Sequence, residues 1–157
     1  DVVKEVLGTE GRMQFWQVRM KPGKPLAFGL LPGREPGRSV PLIGLPGNPV
    51  SAMVSFEQFA RPAILKMLGH AVLDKPTLQA VLDEPLTNSG RRAFVRVIVT
   101  RQADGYHART TGEQGSGVLT SMAKANGLAV IPEGMEQVAA GSRVTVQMLD
   151  WPEGIRL

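Results

Sequence analysis

The stretch from residue 46 to residue 68, PGNPVSAMVSFEQFARPAILKML, contains the clearest helix signal in the chain. Its apolar residues recur at spacings of three and four, which is the period of one face of an amphipathic helix of about six turns. The apolar positions are Val50, Met53, Val54, Phe56, Ala60, Ala63, Ile64 and Met67. Pro62 is expected to kink or interrupt this helix, because proline lacks an N–H and crowds the preceding turn.

The residues before this helix predict a helix start that faces a ligand. Asn48 is a favoured N-cap residue, and Pro49 then occupies the first helical position, where a missing N–H does no harm. The backbone N–H groups of Val50, Ser51 and Ala52 are then expected to lack partners, and with the helix dipole they favour an anion. The Ser51 hydroxyl adds a donor. A well-capped helix start with no ligand is the alternative.

A second charged feature, KPGKP at residues 21–25, lies between strand-like segments at 13–20 and 26–31. Its central Pro-Gly pair suits a type II turn, which brings the flanking Cα atoms within about 7 Å. Lys21 and Lys24 then repel each other unless water solvates them or an anion bridges them. From this motif alone, a solvated hairpin is the favoured interpretation, since most exposed charges contribute little.

The remaining periodicity predicts an α/β part followed by a mainly β part, with a boundary near residue 73. An apolar run at 40–45 reads as a buried strand that leads into the helix. Asp104-Gly105 is a hairpin signal between two later strands. The later strand-like segments are 77–83, 92–101, 105–110, 127–131 and 142–149, with a short helix-like insertion at 117–126.

The β part carries a polar, glycine-rich loop at residues 110–117, TTGEQGSG, in which Ser116 could donate to a ligand. Such loops are usually only connections, so the loop is a weak signal by itself. Arg91, Arg92 and Arg96 stand at the start of a strand, with an exposed strand face as the alternative to an anion site. The two histidines lack ligand-like spacing, and the sequence contains no Ser-His-Asp set, phosphate loop or dinucleotide fingerprint.

Composition limits the classes of function. The 157 residues carry a formal net charge of +4 and no cysteine, and no stretch approaches the length of a membrane span. These features, with no secretory signal, favour a cytoplasmic protein without disulfides or thiolate metal sites. The basic residues are dispersed and aromatic residues are few, so a small anionic substrate explains the charge at least as well as a nucleic acid does.

Five motifs occur in a recognisable order along the chain. They are DVVKEVL, VRMKPGKPLAFG, GLPGNPVSA, RRAFVRV and TTGEQGSGVLTSMAKANGLAVIPEG. Together they closely resemble the molybdopterin molybdenumtransferase family, which includes bacterial MoeA and the E domain of gephyrin. The resemblance implies that residues 1–72 form the C-terminal half of a three-layer α/β/α molybdopterin-binding subdomain. It also implies that residues 73–157 form a β-barrel-like C-terminal subdomain, with molybdate bound near the cleft between the two.

The activity implied by the resemblance is insertion of molybdenum from molybdate into adenylylated molybdopterin, with release of AMP and assistance from Mg²⁺ or another divalent metal. The family forms homodimers, and molybdopterin adenylyltransferase is the expected upstream partner. No nucleic acid or membrane is expected as a partner. The chain starts at Asp1 without methionine, so we expect a fragment with only part of the active site and no activity by itself.

The resemblance assigns roles to individual positions. Asp1, Lys21 and Lys24 match catalytic positions, and no residue is assigned as a metal ligand. Pro46, Asn48 and Pro49 match residues that shape the turn before the helix. The predicted molybdate contacts are Lys21, Lys24, Pro25, Ser51, Arg96 and Ser116. Arg96 is the best match for the family's β-domain arginine, although Arg91 or Arg92 could take that place.

Two other functions remain open at this point. The chain could be a non-catalytic scaffold of the same fold that binds a partner peptide in the groove between its two parts. It could also be a basic nucleic-acid-binding domain, which predicts a steep salt dependence of binding. The dispersed charges and few aromatics argue against the second of these.

Overall fold

The computed structural model describes residues 12–152. Asp1 and residues 2–9, whose sequence predicts a helix, lie outside the described residues. The described helices are α1 (Pro49–Ser55), α2 (Arg61–Met67) and α3 (Leu119–Lys124), with a π-helical turn (Phe56–Ala60) between α1 and α2. The described strands are β1 (Arg12–Gln17), β2 (Met20–Lys21), β3 (Pro25–Pro32), β4 (Ser39–Gly44), β5 (Thr77–Leu82), β6 (Leu86–Thr87), β7 (Arg92–Gln102), β8 (Gly105–Thr110), β9 (Gly127–Ile131), β10 (Gln137–Val138) and β11 (Arg143–Met148).

The first sheet is small and antiparallel, with the order β1-β3-β4. The pairing of β1 with β3 ends at Gln17 opposite Pro25, and the rings of Trp16 and Phe28 stack 6.3 Å apart across it. These strands lie close to the predicted segments, but β4, predicted as a buried strand, is an edge strand that is exposed or half-buried along its length. The prediction that this part is half of a three-layer α/β/α subdomain goes beyond what one antiparallel sheet and one helix establish, and it stays a prediction.

The predicted long helix is present, and it is interrupted where Pro62 predicted. α1 continues through the π-helical turn into α2, and the Arg61 N–H donates to Phe56 O, five residues back. Pro62 has no N–H to donate to Gln58 O, and its ring would clash with that carbonyl in a regular helix. The wider π turn just before Pro62 accommodates both effects.

The second sheet closes into a barrel. Its strands follow the order β2-β7-β8-β5-β11-β9, and an additional pairing of β7 with β9 completes the ring. β2 adds to the edge of β7 in parallel at Arg92 and Ala93. The interior is apolar, and it includes Leu82, Val97, Ala108, Ala129, Ile131 and Val146. The prediction of a barrel-like second part is therefore confirmed.

Several boundaries differ from the sequence-based expectations. The hairpin between β7 and β8 turns at residues 103 and 104, with Gln102 paired to Gly105, so the turn lies one residue before the predicted Asp104-Gly105. The strands β2, β6 and β10 were not predicted, because two residues are too few to show a period.

In residues 12–152 the helices are all too short or too polar to cross a membrane.

The start of α1 is anchored on the barrel. Val50 and Val54 are fully buried and belong to one apolar cluster with Phe94, Met122 and Leu128. Phe94 and Leu128 lie on β7 and β9, and Met122 lies on α3. Val50 and Val54 thus bury the start of α1 against the second part of the chain, which holds the residues before α1 close to the loops of the barrel. The rest of the predicted apolar face is less buried than expected, since four of its residues are exposed: Met53, Phe56, Ile64 and Met67.

Candidate functional site

A cleft of about 720 Å³ lies between the KPGKP loop, the start of α1 and the loops of the barrel. This volume falls in the range of about 300–1,000 Å³ that is typical of small-molecule sites. The predicted site residues Lys21, Lys24, Pro25, Asn48, Ser51 and Ser116 all line it. The fold therefore brings together residues from three separate motifs.

The KPGKP motif lies in a connection that is longer than the predicted four-residue turn, although Gly23 has the positive φ that the prediction required. Because β1 ends at Gln17 and β3 begins at Pro25, the whole of residues 18–24 forms the connection, closed by a 2.8 Å bond from Val18 N–H to Lys24 O. Met20 accounts for the longer connection, because its side chain is buried in the core with 3% exposure and its backbone pairs with β7.

The centre of the same loop packs directly on α1. Gly23 has a φ of +104°, and the Lys21–Pro22 peptide bond is cis. A Cβ placed on Gly23 would lie 2.5 Å from Ser55 Oγ and 3.6 Å from Ser51 O. Lys21 and Lys24 are exposed at the edge of the cleft, and the described residues provide neither with a salt-bridge partner.

The start of α1 differs from its prediction in how its donors are used. Asn48 is the N-cap residue, but its side chain makes no capping bond and instead donates through Nδ2 to Ser116 Oγ at 3.1 Å. Val50 N–H donates to Ser116 O at 3.2 Å, and Ala52 N–H donates to Asn48 O at 2.8 Å. Two of the three N–H groups expected to face an anion therefore have protein partners. Ser51 is buried and lines the cleft.

Arg96 lies just below the cleft rather than in its lining. Its side chain is 2% exposed, and the guanidinium donates from Nε to Ser121 Oγ at 3.1 Å and from Nη2 to Gly115 O at 3.2 Å. Both acceptors are neutral, and burial lowers the pKa of Arg96. Among residues 12–152, no carboxylate forms a salt bridge with it. Gly115, which it holds, does line the cleft.

The other two candidate arginines occupy different environments. Arg91 lines the cleft, and its Nη1 donates to Met20 O at 3.3 Å, which joins Arg91 to the connection at residues 18–24. Arg92 is exposed and is absent from the cleft lining. The structure thus separates three neighbours among which the sequence favoured Arg96 but left Arg91 and Arg92 open.

Glu84 is a cleft residue that the sequence did not indicate. Its Oε1 accepts bonds from Thr110 N–H at 2.7 Å and from Thr110 Oγ1 at 2.6 Å, and these bonds lower the pKa of Glu84. It is the one acidic residue among the described residues that line the cleft. No local motif indicates Glu84, because its partner Thr110 lies on β8, 26 positions further along the chain.

The chain matches known proteins over almost its whole length. Residues 1–66 match the model of a probable molybdopterin binding domain, and residues 79–149 match the MoeA C-terminal region (domain IV). Molybdopterin molybdenumtransferase 2 of Mycobacterium tuberculosis is 38% identical over 93% of this chain and 36% of its own length. Molybdopterin molybdenumtransferase of Haemophilus influenzae is 35% identical over 94% of this chain and 36% of its own length.

Solved structures give the same result. A molybdopterin biosynthesis MoeA protein from Pyrococcus horikoshii superposes with a TM-score of 0.74 and 28% identity, over 96% of this chain and 36% of that one. The chain thus spans about a third of the length of the relatives it matches. Since matches to both family regions occur in one chain, in agreement with the predicted resemblance, the chain belongs to the MoeA family of molybdopterin molybdenumtransferases.

Proposed function

We propose that the cleft binds molybdate, and that the protein to which this chain belongs transfers its molybdenum to adenylylated molybdopterin with release of AMP. The observation that carries this proposal is the environment of Arg96. A buried guanidinium whose partners among residues 12–152 are all neutral bears a desolvation penalty on the order of several kcal/mol. A dianion in the adjacent cleft offsets that penalty by supplying the missing negative charge.

The residues of the cleft suit an oxyanion. Lys21, Lys24 and Arg91 contribute positive charge from one side, and Ser51 and Ser116 provide hydroxyl donors. Charge-assisted hydrogen bonds of this kind are about twice as strong as neutral ones. We assign these residues the task of orienting molybdate and stabilising the negative charge on its oxygens during transfer, which is electrostatic positioning.

General acid–base catalysis is not assigned to the described residues. Glu84 is the one carboxylate among the described residues lining the cleft, and Thr110 occupies its Oε1. No histidine is among those lining residues. The predicted catalytic role of Asp1 belongs to the proposal, and Asp1 lies outside the described residues.

Magnesium does not fit the described residues as a resident ion. Within residues 12–152, no group of three or more His, Asp or Glu side chains could hold a metal. Among the described lining residues Glu84 is the single carboxylate, whereas Mg²⁺ needs octahedral oxygen coordination, part of which substrate phosphates and water usually provide. We therefore assign no described residue as a ligand of Mg²⁺.

The setting of the reaction forms part of the same proposal. We propose a homodimer, molybdopterin adenylyltransferase as the enzyme that supplies the substrate, and a cytoplasmic location. The domain limits near residue 73 are also retained as a proposal. The scaffold alternative is not favoured, because the relatives named above are molybdenumtransferases.

Calorimetric titration of the chain with sodium molybdate tests the proposal. We expect the double variant Lys21→Ala with Lys24→Ala to bind molybdate at least about tenfold more weakly, because two charge-assisted contacts are lost. Lys66→Ala is the matched control, since Lys66 is an exposed lysine in the last turn of α2 and outside the cleft lining.

Equal affinity of the double variant and the parent would contradict the roles given to the two lysines. Absence of any molybdate binding by the parent chain would contradict the proposed site. In a full-length protein that contains this chain, the same double variant should also lower the rate of molybdenum insertion, whereas Lys66→Ala should not.

A further inference from the structure

The side chain of Gln114 takes the place of a missing strand partner. Its Oε1 accepts from the backbone N–H of Arg96 at 2.9 Å, and its Nε2 donates to the backbone O of the same residue at 3.1 Å. Nε2 also donates to Gly112 O at 3.1 Å and lies 3.4 Å from Thr111 Oγ1. One primary amide thus satisfies both backbone groups of a buried strand residue, as a paired antiparallel residue does.

The position of Arg96 on β7 explains why such a partner is needed. On one side, Arg96 pairs with Leu128 of β9. On the other side, the pairing with β8 begins only at the next residue, Val97 opposite Thr110. The Arg96 N–H and O would face this side without a strand, and buried backbone groups without partners are costly. Gln114 and Thr111 N–H, which donates to Arg96 O at 3.1 Å, fill the gap.

Arg96 and the loop at residues 111–118 hold each other through reciprocal hydrogen bonds. Gln114 holds the backbone of Arg96, and the Arg96 guanidinium in turn holds Gly115 O at 3.2 Å. The next residue, Ser116, meets the helix start through Asn48 Nδ2 and Val50 N–H. The loop contains several glycines, which by themselves leave a chain conformationally free.

We infer that Gln114 is a positioning residue of the anion site, which acts by holding the buried Arg96 and the cleft residue Ser116 in register with each other. This inference rests on the function proposed above, and it adds a residue to which that function gave no role. Gln114 also lines the cleft, but both polar atoms of its amide are engaged in the bonds described above. It therefore acts through Arg96 and Ser116, and its loss should weaken the binding of molybdate without removing a charge.

Two measurements on the chain test this inference. Hydrogen exchange of the amides of residues 111–118 reports on the order of the loop, and calorimetry with sodium molybdate reports on binding. In Gln114→Ala we expect exchange in the loop to rise at least about tenfold and molybdate affinity to fall about tenfold, while exchange in β11 stays unchanged. Gln114→Glu keeps the acceptor for Arg96 N–H but lacks the donors, so its effects should lie in the same direction.

Gln79→Ala serves as the matched control. Gln79 is an exposed glutamine whose Nε2 donates to Thr145 Oγ1 at 2.9 Å on the opposite strand of the barrel, away from the cleft. It should change neither loop exchange nor molybdate affinity. An equal effect of Gln79→Ala would show that any lost glutamine contact disturbs the barrel, and it would overturn the inference.

The outcomes separate this inference from the proposed function. If the parent chain does not bind molybdate, the proposed function fails and the positioning role fails with it. If the parent binds and Gln114→Ala binds equally well, the inference alone is overturned. Faster loop exchange with unchanged affinity would reduce Gln114 to a structural residue, and unchanged exchange would show that the loop does not depend on it.

Discussion

The two walls of the cleft differ in how exposed and how firmly held their polar residues are. The KPGKP wall presents Lys21 and Lys24, which are exposed and have no salt-bridge partner among the described residues. The opposite wall presents Ser116 in a loop whose neighbours are held by hydrogen bonds from buried groups, above all Arg96 and Gln114. The lysine wall supplies exposed charge, and the other wall supplies a defined position beside the buried charge of Arg96.

This contrast follows from the energetics of charges and hydrogen bonds. Exposed ammonium groups keep their hydration and gain little energy from a fixed geometry. They attract an anion over a range that the ionic strength of the solution limits by screening. Directed bonds to an oxyanion require donors whose positions are set before it arrives. The backbone of the lysine wall is nevertheless rigid, because Gly23 packs against α1.

The largest expected effect comes from disturbing that rigid backbone. In Gly23→Ala, the new Cβ would meet the fully buried Ser55 Oγ at 2.5 Å, at a φ of +104° that favours glycine. We expect a loss of about 1–2 kcal/mol from the backbone and about 1–3 kcal/mol from overpacking. Urea unfolding measures the sum.

A second glycine separates these two contributions. Gly37 has a φ of +80° but nothing within 4 Å of its added Cβ, so Gly37→Ala should lose only the backbone part. If Gly23→Ala is no more destabilising than Gly37→Ala, the close packing of the KPGKP loop on α1 has no energetic consequence, and the lysine wall is less rigid than the geometry indicates.

An intermediate effect is expected from the bond that joins the helix start to the serine wall. In Asn48→Ser, an equally favoured N-cap residue replaces Asn48, but the shorter side chain no longer reaches Ser116 Oγ. We expect the free energy of unfolding to change by less than about 1 kcal/mol, while molybdate affinity falls about threefold to tenfold. Calorimetry and urea unfolding on the same samples check this. Full retention of affinity would mean that Ser116 is held adequately by the Val50 N–H alone.

The smallest effect concerns the pH dependence of the barrel. Hydrogen bonds to Asp83 at 2.7 Å and to Asp104 at 3.0 Å raise the pKa of His107 above its ordinary value of 6.5. The protonated form is therefore favoured in the folded state, and its contribution to stability is complete below pH 6.5 and is lost as the pH rises through the raised pKa.

The measurement is the melting temperature across that pH range. We expect a small decline with rising pH in the parent and a flatter profile in His107→Gln, because glutamine does not titrate there. Since His107 is absent from the cleft lining, the same substitution should leave the affinity for molybdate unchanged. A parallel change in affinity would indicate that the barrel and the cleft are coupled through this histidine.

The sequence predicted most of the elements, because their signals are local. The helix over residues 49–67, its interruption near Pro62 and the principal strands follow from periodicity and from the chemistry of proline. The motifs also predicted that Lys21, Ser51 and Ser116 belong to one site, and all three line one cleft. Whether these residues bind molybdate stays a prediction.

The remaining features depend on contacts that no local pattern contains. The sequence favoured Arg96 as the anion contact, but it could not show that Arg91 lies in the cleft and that Arg96 is buried below it. The sequence predicted that Asn48 caps the helix, whereas its side chain donates to Ser116, 68 positions away. Glu84 was missed because it lies in the connection between β5 and β6 and its partner, Thr110, lies on β8.

By itself, therefore, the sequence determined where the helices and principal strands form and to which family the chain belongs, because hydrophobic period, proline chemistry and ordered motifs are properties of neighbouring residues. Only the tertiary structure decided how the KPGKP loop turns, which arginine lies where, and that Gln114 completes the strand at Arg96. These outcomes depend on the closure of the barrel, which brings β7, β9 and the loop at residues 111–118 together and leaves buried polar groups that must find partners across it.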